Sequence, residues 1–283
     1  MILARSHPRR LQRRALYWVL SGTTALGLVA AMPQPAYSFS WLEILRRGAQ
    51  VYQLSTISDE REVKLGNRIH QQLTQKRIEL YRGQALNQYV KRIGQRLVER
   101  STRSDIPYKF HIVRDDSINA FAVPGGHIYV NTGLLQLADN EAELAGVLGH
   151  EIAHVAARHA IEQMRQQAIA QGVLSAAGLD ESQAVQIGVE LALNRPNSRE
   201  DELKADRLGL QMMAKSRYAP IATVTFLQKL QQQQQSGSPP TFLNTHPGID
   251  QRITQLRQEL PEDSRSGTGL DEDTYQWHTR KLR

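Results

Sequence analysis

His150, Glu151 and His154 form an HExxH pattern, His150-Glu151-Ile152-Ala153-His154. The flanking residues favour helix, and four residues on an α-helix make about one turn. Both imidazoles therefore project from one face toward one ion. Glu151 sits about 100° around the helix from His150, beside such an ion and not on it. The chemistry implied is peptide hydrolysis at zinc, with a cation that acidifies water and a carboxylate poised as general base.

Catalytic zinc usually takes three protein ligands and keeps one position open. His159 follows His150 by nine residues, whereas the metzincin pattern places its third His about ten residues on, after a glycine turn. Ala157 and Arg158 are expected to continue the helix, which puts His159 roughly 180° from His150 and off the metal face. Glu202 is the stronger candidate, in Ser198-Arg199-Glu200-Asp201-Glu202-Leu203-Lys204-Ala205-Asp206. Ser198 followed by acids reads as a capped helix start, and Asp206 shares a face with Glu202 one turn later. From there Asp206 can accept the free N–H of a zinc-bound imidazole, fixing its tautomer. The chain has no cysteine, so a metal site here is built from His and carboxylate.

Four blocks together resemble the M48 family of metallopeptidases, which are gluzincins. They are Asn119-Ala120-Phe121-Ala122-Val123-Pro124-Gly125-Gly126-His127-Ile128-Tyr129-Val130, then Gly149 to His154, then Ser198-Arg199 with Glu202 and Asp206, then Thr245-His246-Pro247. Asp59 to Gly66 also resembles the acidic helix that opens many family domains. The resemblance spans about residues 58–260 and is greatest to soluble periplasmic bacterial members. It implies an α+β fold, a mostly helical zincin-type metallopeptidase domain with a small β-sheet beside the HExxH helix. It implies one Zn2+ per chain on His150, His154 and Glu202, with Asp206 behind them and Glu151 as catalytic base. His246 is a second catalytic candidate with three readings: it stabilises the oxyanion or contacts substrate, it occupies the open zinc position at rest, or it only starts a helix and has no zinc role. The resemblance also implies an edge strand that takes substrate as an added strand, here His127-Ile128-Tyr129-Val130, which the residues alone also allow to be simply part of a core hairpin. Arg252, one helical turn past Gly248, is placed to contact the active-site acids or the substrate carbonyl.

Residues 1–38 read as a secretory signal: five arginines, an apolar run from Ala15 to Met32, then Ala36-Tyr37-Ser38 as a cleavage site. The alternative is an N-terminal membrane anchor formed by residues 15–32, a run at the short end for a spanning helix. The expected location is accordingly exported and periplasmic, or membrane-anchored. The headline net charge of +7 resides largely in this segment. Five of the 35 basic residues and none of the 28 acidic ones precede position 39, leaving 30 against 28. That near-balance removes any charge-based case for nucleic acid. The expected partners are unfolded or misfolded protein substrates; the amphipathic segment 39–57 reads first as core packing, with a membrane tether or a cover over its own groove as alternatives.

Periodicity predicts helices from Ser58 to Leu73 and Gln84 to Ser101, and strands at Tyr108–Val113, Ala120–Val123 and His127–Asn131. One long helix is expected from Asp139 to about Gly172, then helices near 180–193, 199–215, 220–235 and 248–260. Gln231 to Pro240 reads as a polar loop, and residues 261–283 as a flexible C-terminal tail. Two functions compete: a zinc endopeptidase for misassembled envelope proteins, and a periplasmic chaperone or assembly factor with suppressed proteolysis.

Overall fold

Three short strands sit beside the HExxH helix and present two different faces to the helices around them. In the computed structural model the described residues are 57–170, 181–194, 196–237 and 239–282. The signal or anchor segment and the amphipathic segment up to residue 56 lie outside them. Helix α1 (Asp59–Lys76) is opened by Ser58, whose hydroxyl accepts from the Arg61 N–H at 3.3 Å. Helix α2 (Gln84–Val98) follows, then β1 (Lys109–Val113), β2 (Ala120–Val123), a 3-10 turn at Pro124–Gly126, and β3 (His127–Asn131). Gly125 and Gly126 have positive φ of 76° and 95°, which an L side chain rarely adopts.

The strand order is β1-β3-β2, with β3 parallel to β1 and antiparallel to β2. The expectation that His127-Ile128-Tyr129-Val130 forms a substrate-receiving edge is therefore corrected. These residues are buried on the central strand, whose two edges are already hydrogen-bonded. The strand that packs most extensively on the HExxH helix is β2, and β2 is an edge among the described residues. Alternation separates the faces. Ile112, Ala120, Ile128 and Val130 join the core under α2 and the HExxH helix, while Val113, Phe121, Val123 and Tyr129 face a second apolar cluster with Ile69 and Leu73 of α1.

After α3 (Thr132–Leu137) comes the HExxH helix α4 (Glu141–Ala156), capped by Asn140, which accepts from the Glu143 N–H at 3.0 Å. The expected long helix breaks here. Arg158 takes φ 58°, and α5 (His159–Ala170) starts in a new direction. Glu62, buried at 1% exposure, explains the break: Arg158 Nε lies 3.0 Å from its carboxylate, and Arg103 Nη2 also lies at 3.0 Å. Arg103 donates from Nη1 to the Val155 carbonyl at 3.0 Å as well. The acidic opening of α1 thus clamps the C-terminal end of the HExxH helix.

Helix α6 (Glu181–Asn194) precedes α7 (Arg199–Lys215), where Ser198 caps through the Asp201 N–H at 3.1 Å. Helix α8 (Ile221–Gln235) includes the glutamine run, which is helical and not loop. Helices α9 (Thr241–Thr245) and α10 (Ile249–Glu259) follow. The segment after Leu260, expected to be flexible, is also corrected: it carries α11 (Glu272–Thr279). Tyr275 is 1% exposed and donates to the Leu135 carbonyl at 2.8 Å, and the Gly269 carbonyl accepts from the first turn of α4 at Ala142. One buried aromatic and a few backbone hydrogen bonds outweigh the charged, Gly-containing composition. No helix among the described residues is long and apolar enough to cross a membrane.

Candidate metal centre

Helices α4 and α7 pack at Gly149 and Gly209. A Cβ on Gly209 would lie 3.1 Å from the His150 nitrogen, so a larger residue would push the two helices apart by a few tenths of an ångström. The close approach sets Glu202 and Asp206 of α7 directly under the two histidines of α4. Ser198 therefore serves as an ordinary cap while Glu202, four residues on, is fully buried. A buried carboxylate needs charged or hydrogen-bonding partners to remain ionised.

Four side chains converge. His150 Nε2 and His154 Nε2 are 3.0 Å apart, and each lies 3.3 Å from a Glu202 oxygen. His246 Nδ1, from the α9–α10 junction, is 3.0 Å from Glu202 Oε1 and 3.2 Å from His150 Nε2. Ligand atoms held tetrahedrally at about 2.0–2.1 Å from zinc stand about 3.3 Å apart. The observed separations and the His/carboxylate donor set fit such an ion, so this buried cluster could hold a metal.

The next layer fixes which ring nitrogens face inward. Asp206 Oδ1 sits 2.9 Å from His150 Nδ1, which assigns the proton to Nδ1 and leaves the Nε2 lone pair for the cluster. His159 stands in the same relation to His154. Its Nδ1 is 2.9 Å from His154 Nδ1, and its Nε2 is 3.3 Å from Asp201. The expected far-face position for His159 fails because the helix bends at Arg158. Arg252, 2% exposed, grips Asp206 through Nε and Nη2 at 2.7 Å each and reaches Glu202 through Nη1 at 2.8 Å.

Burial disfavours every ion here, and the charges answer one another. Burial pushes the Asp206 carboxyl up, but Arg252 and His150 overcome it and hold it at about 2. Glu202 is likewise held well below the usual carboxylate range, burial being outweighed by His246, Arg252 and His150. Burial and Arg252 press His150 down, yet Glu202 and Asp206 raise it to about 9. Glu151 differs: burial raises its carboxyl, with His154 and His150 offsetting only part. Its Oε1 is buried without a hydrogen-bond partner among the described residues, with His246 Nε2 at 3.5 Å. Phe121, Ala122, Glu151, His154, Asn197 and His246 line one pocket, so the edge strand β2 and the proposed base open onto the same space.

His150, Glu151, His154, Glu202, Asp206 and His246 are thus brought together, as the sequence suggested. His127, Ile128, Tyr129 and Val130 are not part of this cluster. Glu62, His159 and Asp201 were missed as supports, because their roles depend on the bend at Arg158. Asp206→Asn should lower metal affinity about 10–100-fold, since the amide no longer holds the His150 tautomer with a charged acceptor. Competition against a chromophoric chelator measures it, and an unchanged affinity would contradict the role given to Asp206.

Residues 84–260 match the profile of Peptidase family M48. The beta-barrel assembly-enhancing protease of Escherichia coli (strain K12) is 32% identical over 243 residues, 81% of this chain and 50% of that protein. Its namesake in Yersinia pestis is 34% identical over 233 residues, 77% of this chain and 48% of the relative. The mitochondrial metalloendopeptidase OMA1 of Schizosaccharomyces pombe is 36% identical over 181 residues, 62% of this chain and 53% of the relative. The chain spans about half the length of these curated relatives.

Proposed function

The chain belongs to peptidase family M48, and from that premise we propose that this metallopeptidase is a zinc-dependent endopeptidase for unfolded or misassembled envelope proteins. The observation that carries the proposal is the convergence of His150, His154 and Glu202 with Glu151 beside them in one pocket. Zinc bound there supplies a Lewis acid that polarises the scissile carbonyl and acidifies water. Glu151, its basicity raised by burial, takes a proton from the attacking water and delivers it to the leaving amine. Substrate lies extended along β2, Ala120–Val123, an edge strand among the described residues, which bounds the pocket and offers main-chain hydrogen bonds without demanding a sequence. That mode of binding suits unfolded chains. The name of the Escherichia coli relative, which refers to β-barrel assembly, supports an envelope substrate. Residues 1–38 would export the protein to the periplasm, or residues 15–32 would hold it at the membrane.

His246 favours a second reading. Its Nδ1 stands where a fourth ligand would, at 3.0 Å from Glu202 and 3.2 Å from His150. In that position it competes with water and substrate, and a chain held there acts as a chaperone or assembly factor with suppressed proteolysis. Casein hydrolysis by the full chain and by His246→Ala separates the readings. We expect the parent to cleave and His246→Ala to cleave severalfold faster, as removal of a competitor requires. A His246→Ala rate about 10²-fold lower would assign His246 to the oxyanion instead. Folded, zinc-loaded protein that cleaves in neither form would favour the chaperone.

A further inference from the structure

A second group of histidines lies on the opposite side of the sheet from α4. His70 comes from α1, His111 from β1 and His127 from β3, and one ring nitrogen from each lies within 4.8 Å of the other two. None of them belongs to the cluster around Glu202. The parallel register of β1 and β3 pairs Lys109 with His127 and His111 with Tyr129, so the two strand histidines are offset by one pair on the face that α1 covers.

Their tautomers follow from their partners. Lys109 Nζ is 3.1 Å from Asn67 Oδ1, and an ammonium can only donate, so that atom is the amide oxygen. His127 Nε2, 3.0 Å from the same oxygen, must carry a proton. The lone pair of His127 is then on Nδ1, which accepts from His111 Nε2 across 3.0 Å with the ring planes 9° from parallel, and an ion between them would shift that proton to His111 Nδ1. His70 Nδ1 lies 2.8 Å from the Tyr129 hydroxyl, and when that nitrogen is the donor the lone pair is on Nε2. Its ring stacks over the other two at centroid distances of 4.6 and 4.5 Å. Asn67 thus fixes the His127 tautomer as Asp206 fixes that of His150, and Tyr129 engages one nitrogen of His70.

We propose that His70, His111 and His127 form a second metal site, for a divalent late transition ion of the zinc or copper class. Three imidazoles with no carboxylate among them suit such ions and not magnesium or calcium. Burial keeps His111 near 4 and His127 near 3, so both are neutral and able to ligate at neutral pH. Lys109, exposed beside the site, opposes a cation through solvent-screened charge only. Binding requires the half-buried His70 to turn out of its stack over the other two rings and to shift its contact with Tyr129. An ion held there would tie α1 to the sheet, and α1 carries the Glu62 carboxylate that anchors the end of the HExxH helix.

Metal-free full chain titrated with Zn2+ by calorimetry tests the site, with Cu2+ titrated separately. His70→Gln plus His111→Gln should take up one equivalent fewer than the parent while casein cleavage stays within about twofold, because neither residue touches the first site. His70→Gln alone, at a half-buried helical position, gives the same reading should the double variant not fold. Equal uptake by parent and variants overturns the proposal. The comparison is a difference between proteins that share the first cluster, so a failure of zinc at His150, His154 and Glu202 would not imitate either result.

Discussion

Glu151→Gln should lower casein turnover about 10²–10⁴-fold, the usual contribution of a positioned general base, while leaving metal content unchanged. The amide is nearly the same size as the carboxylate and so keeps the packing of a residue that is 1% exposed. It cannot take a proton. Glu151 is suited to the task because its surroundings treat it unlike the other acids: Glu202 and Asp206 are held ionised by Arg252 and the histidines, whereas burial raises Glu151. Groups whose environments push them apart in this way divide the structural and proton-transfer roles between them. Steady-state hydrolysis and metal analysis on the same preparation check the prediction. A variant that retains the parental rate would remove Glu151 from the chemistry, and one that loses metal would make it a ligand.

Arg252→Leu should destabilise the fold by about 3–5 kcal/mol, the cost of leaving buried carboxylates without their cation. Arg252 is the partner that Asp206 and Glu202 share, through contacts of 2.7 and 2.8 Å. The effect has a defined pH dependence. Asp206 falls from an ordinary value of 3.8 to about 2, so its contribution to stability is fully present above 3.8 and is lost as pH falls through about 2. The gap between parent and variant is therefore widest near neutral pH and closes in acid. Urea unfolding of metal-free protein at several pH values measures it. A midpoint unchanged at neutral pH would mean that solvent reaches these acids and that the arginine is not required.

The two halves of the candidate metal cluster were legible because each is local, whereas the α4–α7 packing that joins them and the placing of His246 are not. HExxH fixes its own geometry through one helical turn, and Glu202 and Asp206 are again one turn apart. What the sequence concealed depends on non-local pairing or on backbone without a glycine or proline signal. Which strand is an edge follows from β1 joining β3 in parallel across intervening residues, and no alternation pattern reports that choice. The bend after Ala157 occurs at an arginine with φ 58°, held by Glu62 some hundred positions earlier, and it alone brings His159 to His154. His70 and His111 carried no signal and His127 was read as a substrate-binding residue; the three meet through the β1–β3 register and the packing of α1 on the sheet. The tail was misread because composition reports average polarity, whereas Tyr275 and a few backbone hydrogen bonds decide its docking.

The most direct test of the central claim is casein cleavage by the full chain, stripped of metal with a chelator and then titrated with Zn2+. We expect no cleavage from the stripped protein and recovery of activity as zinc fills the site of His150, His154 and Glu202, with no recovery in His150→Gln. Stripped, folded protein that cleaves at the full rate would contradict the account, because His150, His154 and Glu202 would then have no metal to hold in the reaction.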